Sequence, residues 1–407
     1  MAAYVLATRY LYLTVLALTG NRLAGVVAAV MFAANPNVLY LQSTPRDGLL
    51  FMACAAAVVY HLTLWCRSGS YRQLIATAVA ALLASLTSYI GWALVAAIAG
   101  IVWYAAWHRE AGLRRYDRLR QAEAHLVFYG LPALIGIASW LAWNAAQAGN
   151  PLHFLNGATA AGFQAPAARG LGGALAAAAR AMADGVGTPV LALGALGFCY
   201  YLATTRLRPR AAAPLALLVF VPFTAYAARL GTSPDIVAAS VAVVLPTALF
   251  TGYVALAVQR YASRQAAGYA LLGTVIAGVL GVTAVSGSSA LREAKAASSS
   301  AVAKADERAG AWLRAHYSGG LILMQSAGNE TVAFDSRVPL GRIVSEDNSG
   351  QWQQALANPA AQDVRWIYMR RLPGGPDAVW LALHGRPRLT HYTAVYADPD
   401  HVLYREG

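Results

Sequence analysis

The stretch GLLFMACAAAVVYHLTLWC, residues 48–66, runs for 19 positions without a charged side chain. A helix of that length rises about 28 Å at 1.5 Å per residue, which matches the roughly 30 Å hydrocarbon core of a bilayer. Arg46 and Asp47 stand directly before it and Arg67 directly after it, so the flanking charges fall where lipid headgroups begin. The segment reads as a transmembrane helix.

Working outward, the chain repeats this pattern. Hydrophobic residues make up 58% of the 407 positions and charged residues 12%, where soluble domains carry about a quarter charged residues. Ten apolar segments stand out, at about 3–19, 23–41, 48–66, 74–88, 91–107, 126–146, 188–204, 212–228, 237–257 and 267–285. The fourth and fifth are short and share a tight turn at 88–91, the pattern of a shallow hairpin. The expected fold is an all-α polytopic membrane domain of about ten transmembrane helices over 1–285, a polar linker over 286–300, and a small α/β domain over 301–407.

Charge sorts the loops. Up to residue 285 there are 18 Arg and 6 acidic residues; from 286 onward there are 13 Lys and Arg against 12 acidic residues. The excess therefore belongs to the membrane part, and the balanced soluble part offers no basic face for nucleic acid. In alternate loops, one set holds 13 arginines, among them Arg22, Arg67, Arg72, Arg206, Arg260 and the cluster at 109–120; the other holds only Arg46, Arg169, Arg180 and Arg229. The positive-inside rule assigns the first set to the cytoplasm. The stretch 42–47, the turn at 88–91, the loop 147–187 and everything after 286 are then extracytoplasmic, and the location is the plasma (inner) membrane of a bacterium. The same alternation runs the first helix from outside to inside, so the expectation is an N-terminally truncated chain with a helix and an outer loop upstream of Met1. The cysteines Cys54, Cys66 and Cys199 lie in apolar runs, where a thiol acts as a small hydrophobe.

Beyond 300 the periodicity changes. Residues 301–317 read as an amphipathic helix with Ala311, Trp312 and Ala315 on one face. Strand-like runs follow at 321–324, 365–369, 390–396 and 401–404, with helical segments near 351–357 and 377–383.

Taken in order, NPNVLYLQSTP (35–45), an acidic residue opening an LLF helix, LTSYIGWAL (86–94) and WNAAQAGNPLHFLNG (143–157) resemble polytopic glycosyltransferases of the GT-C superfamily. Within it the resemblance is to the family 39 or aminoarabinose-transferase-like group, related to protein mannosyltransferases. QWQQAL, VRWIY and DAVWLAL in the tail are similar to the outer domain of such proteins. The resemblance implies transfer of a sugar from a polyprenyl-phosphate carrier to a lipid, protein or glycan acceptor on the outer face. It implies an outward carboxylate that activates the acceptor, cations that hold the phosphate, and room for a divalent metal ion as cofactor.

The resemblance assigns Asp47 the catalytic carboxylate, and Arg46, Tyr89, Trp92, Asn144, Asn156 and Asp235 to substrate binding. Each also has a structural reading. Thr44-Pro45-Arg46-Asp47 is a helix-capping box with Pro at the first position; Arg46 is placed to snorkel to the interface; Tyr89 and Trp92 suit an aromatic belt. Ser233-Pro234-Asp235 is a helix cap, and Asn150-Pro151 and Asn156-Gly157 are turn formers. Departures from the family pattern are specific. The acid lies two residues after Pro45 rather than three, a rotation of about 100° on a helix. Ser88 and Ile90 stand where relatives carry a basic and an acidic residue, and VAASVAVVL before Pro246 lacks the arginine expected there. The alternative from another class is a non-catalytic GT-C-like membrane scaffold or carbohydrate-binding protein. A transporter reading finds no internal repeat and no charged or broken helix at mid-membrane depth.

Overall fold

Each of the ten apolar segments coincides with helical structure in the computed structural model, which describes residues 1–43, 48–109, 112, 114–152, 170–230, 241–261, 265–285, 301–326, 328–346, 349–372 and 375–407. The helices are α1 (Ala2–Thr19), α2 (Arg22–Ala33), α3 (Pro36–Ser43), α4 (Gly48–Ser68), α5 (Tyr71–Thr87), α6 (Ile90–Arg109) and α7 (Arg115–Ala148), then α8 (Gly170–Val186), α9 (Thr188–Thr205), α10 (Phe220–Leu230), α11 (Val244–Tyr261) and α12 (Gln265–Val285). Among the described residues, α1, α4, α6, α7 and α9 are long and apolar enough to cross a membrane, and α2 with α3 makes a sixth candidate. The stretches Tyr71–Thr87, Ala213–Arg229 and Gly268–Thr283 are apolar but shorter. Among the described residues, length and composition thus give a helical membrane protein with five or six candidate spans of full length, and ten are not shown.

The differences have local causes. Segment 23–41 is bent by 61° between α2 and α3, a broken helix that the sequence did not disclose. Pro36 has no N–H to donate and disfavours the helical conformation at Asn35, while the Asn35 side chain accepts from the backbone of Asn37 at 2.9 Å and restarts the helix. Segment 212–228 begins as a 3-10 turn over Ala213–Val219 before α10. Helix α8 lies inside what reads as an outer loop. His61, within the opening stretch, meets Gln73 of α5 at 2.8 Å.

Contacts divide the chain into two units, Met1–Ala142 with Ala158–Arg292, and Trp143–Gly157 with Glu293–Gly407. Within the helical unit, hydrogen bonds show which helix ends lie side by side. The Arg109 guanidinium donates to Trp65 O at 2.7 Å and Cys66 O at 3.2 Å, so α6 ends beside the end of α4. Tyr104 Oη donates to Leu207 O at 2.7 Å, joining the turn after α9 to the same end. The Asn21 and Gln259 side chains bond, adding the α1–α2 turn and the end of α11. At the opposite end Tyr4 Oη donates to Ala33 O at 2.9 Å, and Asn35 Nδ2 to Val186 O at 3.0 Å. Arg22, Arg67, Arg109 and Arg260 therefore gather at one end, and the 88–91 turn at the other.

The second unit carries a six-stranded sheet of β1 (Leu321–Leu323), β2 (Ile343–Val344), β3 (Val364–Leu372), β4 (Gly375–Pro376), β5 (Tyr392–Ala397) and β6 (His401–Glu406), ordered β2-β1-β3-β6-β5 with β4 paired to β3. Strand β1 is parallel to β2 and β3, and β6 is antiparallel to β3 and β5. Helices α13 (Ala301–His316), α14 (Glu330–Ser336), α15 (Ser349–Ala357) and α16 (Ala378–Leu383) cover both faces. Strand β3 alternates as a central strand must: Trp366 and Tyr368 join the core with α13 and α14, Ile367 and Met369 the core with α15 and α16. The buried face of α13 is Ala305, Asp306, Ala309 and Leu313, whereas Ala315 is exposed. That face is rotated from the expected one because Asp306 is drawn inward by charge, a signal that apolar periodicity does not carry.

Candidate functional site

Of the seven expected site residues, Arg46, Asp47, Asn156 and Asp235 lie outside the described residues. Tyr89 and Trp92 are brought together. Only Ser88 and Tyr89 separate α5 from α6, and Gly91 and Trp92 donate backbone bonds to Ser88 O and Tyr89 O at 2.9 and 3.0 Å. A side chain on Gly91 would collide with the Ala84 carbonyl, so glycine is what allows α6 to start against the end of α5. The Tyr89 and Trp92 rings meet edge to face at 5.6 Å, the favoured aromatic arrangement.

Trp140 of α7 completes the cluster, its centroid 6.3 Å from Tyr89 and its indole N–H donating to Tyr89 Oη at 3.1 Å. Trp92 Nε1 donates to Ser85 O at 3.1 Å. Sequence reasoning missed Trp140. Its signal was present in the i, i+4 spacing to Asn144 on one helix face, and Asn144, one turn further on, is buried. Ile90 packs into the helical core at 2% exposure, so the position that the resemblance makes acidic is an apolar anchor.

At the same end of the helical unit two asparagines act as clamps. Asn35 and Asn37 are 1% and 3% exposed, and burying an amide is costly unless its hydrogen bonds are made. Asn35 Nδ2 donates to Val186 O at 3.0 Å; Asn37 Nδ2 donates to Gly185 O at 2.5 Å and Asp184 O at 3.1 Å. The break at α2–α3 thereby holds the α8–α9 junction. Among the described residues Asp184 is the one carboxylate at this end, and it is exposed. The clamp places it beside the helix whose chain continues into 44–47.

A second polar cluster lies in the α/β unit, at the carboxyl ends of β1 and β3, where strand order reverses and doubly wound sheets open a crevice. Here side chains fill it. Asp306 takes Arg370 Nη2 at 2.7 Å and His401 Nε2 at 2.8 Å, while His401 Nδ1 meets Asp398 at 2.9 Å. Arg370 Nη1 donates to Asn329 Oδ1 at 3.3 Å and to the Gly328 carbonyl. Asp377 accepts from Trp380 N at 2.7 Å, capping α16, and from Arg370 N at 2.9 Å.

Burial opposes charge on His401, but its bonds to Asp306 and Asp398 outweigh this and hold the imidazole above its ordinary value. For Asp398 burial is likewise overcome, by bonds from His401, Asp400 N and Tyr396, and the carboxyl sits below its ordinary range. For Asp377 burial prevails over its two backbone bonds and pushes the carboxyl up to about 6. Arg370, Asp306 and His401 are all buried. The network ties α13, β3 and β6 together inside the domain. Among the described residues no three His, Cys, Asp or Glu side chains are arranged to hold a metal ion.

These features define a helical membrane protein that carries an α/β domain. Comparison with protein-family models and with the curated proteins finds no match.

Proposed function

We propose that the chain is a GT-C-like membrane glycosyltransferase that moves a sugar from a polyprenyl-phosphate carrier to a lipid, protein or glycan acceptor on the outer face of the plasma membrane, with the 301–407 domain on that same side. The observation that carries this reading is the arginine-poor end of the helical unit. There the Asn35 and Asn37 clamp, the Tyr89–Trp92–Trp140 cluster and Asp184 occur together, at the end where the chain enters Thr44-Pro45-Arg46-Asp47. In this reading aromatic faces receive the sugar, Arg46 forks onto the carrier phosphate, and Asp47 or Asp184 takes the proton from the acceptor hydroxyl. The clamp holds the backbone at Asp184, and positioning supplies much of the rate.

The buried Ile90 favours a second reading, a non-catalytic scaffold or carbohydrate-binding protein on the same fold. Transfer of labelled sugar from polyprenyl phosphate to membrane acceptors separates the two. A positioned general base contributes about 10²–10⁴-fold, so Asp47→Asn or Asp184→Asn is expected to lower transfer by at least about a hundredfold. Carrier binding without transfer by the unsubstituted protein selects the scaffold.

A further inference from the structure

At the arginine-rich end of the helical unit, the last two turns of α6 and the start of α7 line an open cavity of about 700 Å³. Its walls are mainly aromatic and aliphatic, with Trp103, Trp107, Tyr116 and Leu119 on the apolar sides and Arg115 and His108 among the lining residues. The surrounding cations are not equivalent. Arg109 is committed to Trp65 O and Cys66 O and lies over the Trp65 ring at 4.8 Å. Arg118 donates to Trp107 O at 2.7 Å and stacks on the Trp107 ring at 4.4 Å, fixing that wall. Arg120 stacks on Tyr116 at 4.6 Å. Arg115 is exposed, lines the cavity and forms no ion pair among the described residues. His108 has Nδ1 on Tyr104 O at 2.9 Å, which leaves Nε2 as its remaining polar atom.

The charge at this rim is predominantly positive, with Arg114, Arg115, Arg118 and Arg120 against the single carboxylate of Asp117 in the first turn of α7. The arginines at the start of α7 outnumber Asp117, and the helix dipole there is already positive, so the net field of the rim and the dipole have the same sign. An anion there is attracted by both. The walls below it are too apolar for a small hydrated ion and suit a hydrocarbon chain, and Trp and Tyr mark headgroup depth. We propose that this cavity binds an anionic glycerophospholipid, with the phosphate on Arg115 and His108 and an acyl chain against Trp103, Trp107 and Leu119.

The test uses the full chain purified in a neutral detergent, with retention of phosphatidylglycerol and phosphatidylcholine counted by native mass spectrometry. The unsubstituted protein is expected to hold phosphatidylglycerol several-fold more tightly than phosphatidylcholine. Arg115→Ala is expected to lower phosphatidylglycerol retention about five-fold, the worth of one interfacial cation, and Arg115→Glu further. Arg72→Glu, exposed at the same end outside the cavity, is expected to change it little. Equal retention of the two lipids by the unsubstituted protein overturns the proposal without recourse to any variant. So does a loss in Arg72→Glu as large as in Arg115→Glu, or displacement of the lipid by millimolar inorganic phosphate, which points to a free-anion site.

Discussion

Asp377 and His401 sit in one buried network and respond to protons in successive pH windows. The folded carboxyl of Asp377 is raised from 3.8 to about 6, so its contribution to stability is whole below pH 3.8 and is lost as pH rises to about 6. At 1.36 kcal/mol per unit the loss is roughly 3 kcal/mol. His401, raised from 6.5, contributes fully below pH 6.5 and loses that contribution as pH climbs through its folded value. Asp398, lowered from 3.8, works the other way and matters only under acid conditions. Protection of β3 amides in the full chain, corrected for intrinsic exchange, is therefore expected to fall steadily from pH 4 to 8. Asp377→Ala should flatten the part below pH 6, and His401→Gln the part above pH 6.5. A level profile in the unsubstituted protein contradicts the assignment. None of this network was legible in the sequence, because Asp306, Asn329, Arg370, Asp377, Asp398 and His401 share no spacing; the sheet alone brings them together.

Helix pairing depends on where side chains are missing. Gly194 and Gly197 lie one turn apart on α9 and face α11, and a β-carbon on Gly197 would strike the carbonyl oxygen of Phe250. Because that obstacle is backbone, it yields only if the helices separate, which forfeits the close packing that holds membrane helices together. Gly197→Ala is expected to cost about 1–3 kcal/mol and Gly197→Val more, seen as a lower thermal midpoint of the purified protein in detergent. Gly100→Ala, in open space on α6, should be neutral or slightly stabilising; equal effects at the two positions would disprove the contact. The helices themselves were legible, since an uncharged run of 48–66 has few other solutions. Their curvature was not: composition says nothing of a 61° bend at 34–35 or of a 3-10 start at Ala213. In the α/β domain the same limit hid α14 and β2, which are too short to show a period. At the site, Tyr89 and Trp92 were legible as a pair beside a glycine, whereas Trp140 depends on how α7 packs.

At the scale of the whole chain the open quantity is the number of crossings, and bonds between helix ends bear on it more than helix lengths do. Helix α5 has 17 residues, about 25 Å, short of the hydrocarbon core by an amount that bilayer thinning absorbs at fractions of a kcal/mol per Å. Yet the Arg109 guanidinium on Trp65 O sets the end of α6 beside the end of α4, and α6 is itself of crossing length. If α6 crosses, α5 must have carried the chain the other way. The Tyr104–Leu207 bond returns α9 to that end, and the Asn21–Gln259 pair returns α11, which requires 212–228 to cross as well. The proposed ten-helix topology adds a final crossing by α12 and, with it, an extracytoplasmic residue 407. Alkaline phosphatase, active only where its disulfides form, is therefore expected to be active when fused after Ser88 or Gly407 and inactive after Gly69, Gly112 or Leu207, with a cytoplasmic fluorescent reporter giving the reverse. The Ser88 fusion is the decisive one. Full and partial sets of crossings agree on the fate of residue 407, but a re-entrant α5 returns Ser88 to the side of Gly69, and an inactive phosphatase there would remove the ten-helix topology.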